Sequence, residues 1–280
     1  VVIAGGWEQP SHLEAYALRR RLGYRFAWWV ESTRRDHRSS GERLDRSKRR
    51  LLAGSDGVIV PGVASADHVR SLGTPPGRTW VAPNAVDNER FARAASSREG
   101  HEGPVRFLFV GRLEPSKGVP TLLDAWVGMP PHAELSLVGD GSLSPVLGQR
   151  ILRQGGPLVH LVGHRDRDEL SRLYAEADVF VFPSVSDPWG LVLNEAMASG
   201  LPVVTTPAPG SVDDLVRDGE NGFVVPPRRP GPLGDAMRAL LDPGLRREMG
   251  ARSAQRIVGY SSEAWARGMR DAALALAGDR

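Results

Sequence analysis

At 280 residues, 41% hydrophobic and 25% charged, the chain is long enough for two ordinary domains with real cores, and no stretch is apolar enough to span a membrane. It contains no cysteine, which excludes disulfides and thiolate metal sites and permits a reducing cytoplasm, the expected location. A net charge of +3, with no aromatic-interleaved basic motif or zinc knuckle, speaks against nucleic acid as a partner.

Val1–Ala4 reads as a strand. The opening VVIAGGW is too short and uncharged for a signal peptide, and a chain that begins at Val1 inside a strand-like run is expected to have its true start upstream. Ser11-His-Leu-Glu14 has the form of a capping box, predicting a helix that stops at Gly23. Phe26–Val30 is the next strand, followed by a basic helix over 42–52, a strand at Gly57–Val60, a short helix from Ser65 and a strand over Thr79–Ala82. Between Arg19 and Arg50 stand twelve Arg and Lys against four Asp and Glu, a local excess of +8 that leaves −5 for the rest of the chain. Two readings of this face stand open. It is a pair of solvated Arg-rich helices, or it meets an anionic partner such as a membrane surface or a phosphorylated acceptor.

Pro83–Asp87 turns the chain, and SSREGHEGP over 96–104 is polar and aperiodic, a linker. Strands are then expected at Val105–Val110, Glu134–Val138, Val159–Val162, Val179–Phe182, Pro202–Thr205 and Gly222–Val225, with helices starting near Lys117, Leu143, Asp168 and Gly190. That alternation predicts a doubly wound parallel α/β sheet. In the common order 3-2-1-4-5-6 the direction of winding reverses between its first and fourth strands, and ligands bind outside the strand ends there. The loops at that point are Gly111–Lys117 and Pro183–Gly190. The implied organisation is a first domain over 1–95, a linker over 96–104, a second domain over 105–258 and a C-terminal helix over 259–280 returning toward the first domain.

The first loop sets Arg112 and Lys117 at a helix start, a guanidinium able to grip phosphate oxygens bidentately beside an ammonium point charge. The second leads into a helix whose first amides, around Trp189, Gly190 and Leu191, form a natural anion site. A diphosphate between the two would be neutralised without a metal. Glu195 is out of place in the apolar run LVLNEAMA unless something pairs with it, and a ribose diol would accept that role. Asp187 would reach hydroxyls beyond the diphosphate. Taken together, these residues describe a sugar-nucleotide site.

GRLEPSKG, SDPWGLVLNEAMASGLPVV, DGENGFVVPP and the upstream PNAVDNERF resemble glycosyltransferase family four of the GT-B fold along nearly the whole chain. The resemblance implies two Rossmann-like domains facing a cleft, the N-terminal one incomplete here. It also implies a retaining, metal-independent, hexosyltransferase-type enzyme using a nucleotide-diphospho-sugar as co-substrate, with no further cofactor. Arg112 and Lys117 would hold the diphosphate, Glu195 the ribose, and Asp187 with the amides of Trp189, Gly190 and Leu191 the transferred sugar. Gly111 and Ser184 would line the donor site, and Gly163, His164 and Arg165 match the loop near the base. The acceptor, whether glycan, lipid-linked or small molecule, is not legible, and peripheral contact with the inner face of an anionic membrane is one expectation. Three departures stand out. Asp187 replaces the usual Glu of the acidic signature, Glu31 stands where many members have a His near the donor sugar, and the family's first strand and Gly-rich loop have no counterpart before Val1.

Two stretches imitate other chemistry. Gly139–Ser144 approaches a dinucleotide fingerprint, but Ser144 replaces its third glycine. Asp166-Arg-Asp168 looks like a metal-binding pair, yet its place at a helix start fits capping better. Seven scattered histidines show no metal-ligand spacing, so no metal is expected. A sugar-nucleotide isomerase and a non-catalytic sugar-nucleotide sensor would keep the same diphosphate site, and they are the alternatives to transfer.

Overall fold

The structure, a computed structural model, describes residues 1–35, 41–96, 102–154 and 158–278. It runs β1 (Val2–Gly5), α1 (Pro10–Leu22), β2 (Phe26–Trp29), α2 (Glu42–Gly54), β3 (Gly57–Val60), α3 (Val63–Ser71) and β4 (Thr79–Val81). Next come α4 (Asn88–Ala95), β5 (Val105–Val110), α5 (Val119–Trp126), β6 (Ala133–Val138), α6 (Ser144–Gln154) and β7 (Leu158–Gly163). Then follow α7 (Arg167–Glu176), β8 (Val179–Phe182), α8 (Leu191–Ala198), β9 (Val203–Thr205), α9 (Val212–Leu215) and β10 (Gly222–Val224). The helices α10 (Pro230–Ala239), α11 (Pro243–Ile257) and α12 (Ser262–Gly278) close the chain. Two compact units result, Val1–Ala85 with Tyr260–Arg280, and Val86–Gly259.

In the first unit β1 to β4 form a parallel sheet in sequence order. Phe26, Trp28, Val58 and Val60 are fully buried on one face, where Tyr16 and Leu51 of the two basic helices pack against them. Ile59 faces the other way, against Ala272 and Met269 of α12, so the C-terminal helix covers the sheet's second face. The helix expected to be capped by Ser11 has its N-cap two residues earlier. Pro10 occupies its first turn and Gln9 is the N-cap, with no side-chain capping bond, so the Ser11–Glu14 box is not what starts it. Proline's fixed φ and missing N–H suit that position.

In the second unit six parallel strands take the order β10-β9-β8-β5-β6-β7, which is the common order 3-2-1-4-5-6. Helices on both faces explain why the central strands read as unbroken apolar runs, VRFLFV and VFVF. Phe107, Phe109, Phe180 and Phe182 are all buried in this core. Because β5 pairs with both β6 and β8, the chain winds away from it in opposite directions, and the loops after β5 and β8 flank the crevice. The linker read at 96–104 lies largely outside the described residues. The division between units falls earlier because α4, which the sequence reading left out, packs on α7 and α8. Asp87 caps α4 by accepting from the Arg90 amide, and Phe91 buries its ring edge-on to Tyr174, 5.5 Å between centroids.

Candidate functional site

The two switch-point loops are fastened to each other by backbone. The Ser116 carbonyl accepts from the amides of Val185 at 2.8 Å and Ser186 at 3.3 Å, and from the Ser184 hydroxyl at 3.1 Å. Gly118 makes this approach possible. Its φ is +73°, and a Cβ there would lie 1.9 Å from the Pro183 carbonyl oxygen, so no side chain fits. The clasp delivers Lys117, at the end of a single 3-10 turn, into the second loop, with its Nζ 2.6 Å from Asp187 Oδ2. Both partners are largely buried, with side-chain exposures of 11% and 15%. A pair this deep costs more to break than to keep, because removing one partner strands the other charge.

Asp187 also uses its other oxygen, Oδ1, to accept from the Trp189 amide at 3.2 Å. Trp189 is buried and pinned in three further ways. Its indole donates to Asn194 at 2.9 Å, and its carbonyl accepts from the Ser211 amide at 3.1 Å and hydroxyl at 2.6 Å. Gly190 then turns the chain into α8 with φ +87°. The amides of Gly190 and Leu191 find no acceptor among the described residues and stand at the positive end of α8.

Glu195 projects from α8 half-buried, and the donor that holds it is Tyr174 of α7. The phenol donates to Oε2 at 2.8 Å. Burial raises the Glu195 carboxyl above its ordinary value, while the Tyr174 hydrogen bond and the Arg167 charge pull it down. The Tyr174 hydroxyl is itself pushed well above the usual phenol range, first by burial and then by the Glu195 charge, so it stays protonated and donates. Tyr174 had escaped the sequence reading. It is one aromatic in an amphipathic helix, 21 residues from its partner, and nothing local marks it as polar machinery.

The other predicted residues distribute as follows. Gly111, Gly139 and Gly163 line up at the ends of β5, β6 and β7, where the Gly163 carbonyl accepts from Gly139 at 2.9 Å and Gly139 lies against the Gly111 carbonyl. Arg165 donates to the neighbouring His164 carbonyl at 3.2 Å, and His164 is exposed. Arg112 is 65% exposed and folds onto Glu114 at 2.8 Å. Three of these residues are engaged in local hydrogen bonds. Ser184 is fully buried with its hydroxyl donating to the Ser116 and Ser186 carbonyls, so its side chain shapes the loop from beneath. The Trp189 amide, expected to face the sugar, is committed to Asp187. Asp187 accepts on both oxygens, from Lys117 of the first loop on Oδ2 and from the Trp189 amide of its own loop on Oδ1. Glu31 belongs to the first unit, where its carboxylate accepts from the Asn84 amide group at 2.6 Å.

The two imitations resolve into local structure. Asp166 caps α7, accepting from the amides of Asp168 and Glu169 at 2.9 Å each in a complete capping box, and Asp168 pairs with Arg90. Asp140 accepts from the Ser144 hydroxyl at 2.5 Å and the Gly141 amide at 2.7 Å, bonds that hold its pKa below the ordinary value. Among the described residues no group of three or more His, Asp or Glu side chains could hold a metal ion, and no helix is long and apolar enough to cross a membrane.

Comparison with known proteins agrees with this geometry. Residues 104–243, half of the chain, match the family model described as "Glycosyl transferases group 1". Glycogen synthase of Mycobacterium tuberculosis is 33% identical over 217 residues, 73% of this chain and 50% of that protein. D-inositol 3-phosphate glycosyltransferase of Geodermatophilus obscurus is 35% identical over 245 residues, 75% of this chain and 52% of that one. The chain thus spans about half the length of the curated relatives it matches. HepE of Anabaena, solved in complex with UDP, superposes with a TM-score of 0.85 at 21% identity over 98% of this chain and 78% of its own. Sucrose-phosphate synthase of Thermosynechococcus elongatus gives 0.83 at 25% identity over 99% and 74%. With the α/β fold, the clasped loops and these relatives in agreement, the chain belongs to the group 1 glycosyl transferases, of GT-B architecture.

Proposed function

We propose that the protein transfers a sugar from a nucleotide-diphospho-sugar to an acceptor hydroxyl with retention of configuration, in the manner of glycosyltransferase family four. The observation that carries this reading is the buried Lys117 ammonium, 2.6 Å from Asp187 and clasped beside the open amides of α8, with Glu195 on the same helix. A diphosphate has two or three charges to neutralise, and the site offers it an ammonium, the Arg112 guanidinium and a helix N-terminus. These groups also favour the charge that grows on the diphosphate as the bond to the sugar breaks, usually the dominant electrostatic contribution. The leaving phosphate would help take the acceptor proton, so no protein nucleophile is assigned. Asp187 orients Lys117 and the Trp189 amide in this scheme, and Glu195 accepts from the ribose. That the relatives carry names of sugar-transferring enzymes, and that HepE was solved with UDP, supports the choice of donor class.

The test is a thermal-shift panel of UDP, GDP, ADP and their sugars, repeated in EDTA. A ligand at a hundred times its Kd stabilises the folded state by about 2.7 kcal/mol. Stabilisation by at least one nucleoside diphosphate, undiminished by EDTA, is the expected result. No response to any of them sinks the reading. A strict need for a divalent ion would bring Asp166 and Asp168 back as ligands, at the expense of the cap and ion pair they form here. Retention is read from the anomeric configuration of the product by NMR.

The basic helices carry a second part of the proposal. Arg19 is folded over the Tyr16 ring and Arg25 pairs with Asp56, but Arg20, Arg21, Arg43, Arg46, Arg49 and Arg50 are exposed. We propose that they meet an anionic membrane surface. Flotation with vesicles containing acidic lipid should recover the protein at low salt and lose it as salt screens the attraction. Equal behaviour with neutral and acidic vesicles leaves these arginines as a solvated face.

A further inference from the structure

We infer that Tyr174 is a positioning residue for ligand recognition: its phenol fixes Glu195 through Oε2 and leaves Oε1 to receive the ribose diol. The inference rests on the reading of Glu195 as the ribose partner. Its own basis is the hydrogen-bond pattern. Oε2 takes the phenol at 2.8 Å, while Oε1 has no hydrogen-bond partner among the described residues. Tyr174 is fully buried and cannot itself reach a ligand. Its ring is clamped edge-on by Phe91, 5.5 Å between centroids, and tilted against Phe180 at the same distance. The hydroxyl also reaches the Val192 carbonyl at 3.3 Å, so the phenol bridges the backbone and the carboxylate of one helix. A carboxylate on a flexible side chain loses rotamer freedom when it binds. Holding one oxygen in advance removes that cost from the ligand's account.

The surrounding charges make the effect readable as a pH profile. Arg167 of α7 acts on the Glu195 charge. On α4, which packs against α8, Arg90 pairs with Asp168 and Arg93 lies 3.9 Å from Glu89. On α11, also packed there, Arg252 pairs with Glu248 and Arg256 donates to the Asp214 carbonyl. Burial already raises the Glu195 carboxyl, and the phenol opposes that rise. Removing the phenol therefore moves protonation of Glu195 to higher pH. Diol binding, which uses the ionised form, should then fail at higher pH on acidification.

Tyr174→Phe keeps the ring packing and deletes the hydroxyl. The probe is whichever of UDP, GDP and ADP stabilises the protein most, together with its 2′,3′-dideoxy analogue. The expected result is a loss of about threefold to tenfold in affinity for the ribonucleotide, the size of one ordinary hydrogen bond, with little change for the dideoxy form. The acid limb of the ribonucleotide affinity profile should move to higher pH. Equal losses for both ligands, or an unmoved limb, would overturn the inference and leave Tyr174 a packing residue. Glu195→Gln in parallel separates the two levels. If it fails to alter discrimination between the two ligands, the ribose assignment falls and takes this inference with it. If it does alter discrimination and Tyr174→Phe does not, only the role of Tyr174 falls.

Discussion

Lys117→Ala is expected to weaken nucleoside-diphosphate binding by about a hundredfold, and Arg112→Ala by about tenfold, while nucleoside binding changes little in either. Charge-assisted hydrogen bonds contribute roughly 1.5–3 kcal/mol each, and the two cations should fall at opposite ends of that range. Lys117 is buried and held in place by the clasp with the second loop, so its ammonium acts in a poorly solvated setting. Arg112 is 65% exposed and must leave Glu114 to reach a phosphate. Solvent and that competing carboxylate both discount it. A confounding effect has to be removed. Lys117→Ala strands Asp187 in the loop, and unpairing a buried charge can cost up to about 3–5 kcal/mol of stability. Combining Lys117→Ala with Asp187→Asn takes away the stranded charge. A loss of diphosphate affinity that persists in the double variant, measured by calorimetry on protein with a native melting profile, belongs to the ammonium. Unaltered diphosphate affinity in the Lys117 and Arg112 variants would remove both from the site.

Much of this was legible in the sequence because the second unit follows a parallel-sheet plan that periodicity reveals. Buried runs such as VRFLFV and VFVF, separated by amphipathic helices, mark a doubly wound sheet, and the common strand order of such sheets, which this one has, places the switch point. Glu195 was legible as an anomaly, a charge in an apolar helix. What closed the site was not legible. The Ser116 carbonyl, the clasp at Gly118 and the pairing of Lys117 with Asp187 join residues up to 70 positions apart, and backbone acceptors leave no mark on side-chain chemistry. The surroundings of Ser184 were hidden for a different reason. A serine beside a binding loop looks available, and only its burial shows that its hydroxyl is already engaged. At α1 a proline at the first turn took the place of the Ser-Glu capping box, two start signals one residue apart that local reading could not rank.

Glu195→Gln carries the second large expectation. The substitution keeps the side chain's shape and an oxygen for Tyr174 to donate to, but it loses the charge and half the acceptor capacity. The fold should tolerate it, since the carboxylate is held by a single phenol and its charge is already disfavoured by burial. Ribonucleotide binding should weaken by roughly 1–3 kcal/mol, the cost of depriving two hydroxyls of a charged acceptor. A 2′,3′-dideoxy nucleotide offers Glu195 nothing to hold, so for that ligand most of the penalty should vanish. Two ligands on two proteins form a thermodynamic cycle, and its coupling energy isolates the contact from general damage to the site. A coupling of about 1 kcal/mol or more assigns the diol to Glu195. A coupling near zero, with wild type and variant discriminating ribose from dideoxyribose equally well, would mean that Glu195 is there for Tyr174: a partly buried hydrogen bond tying α8 to α7, which places the carboxylate on the structural side of the site.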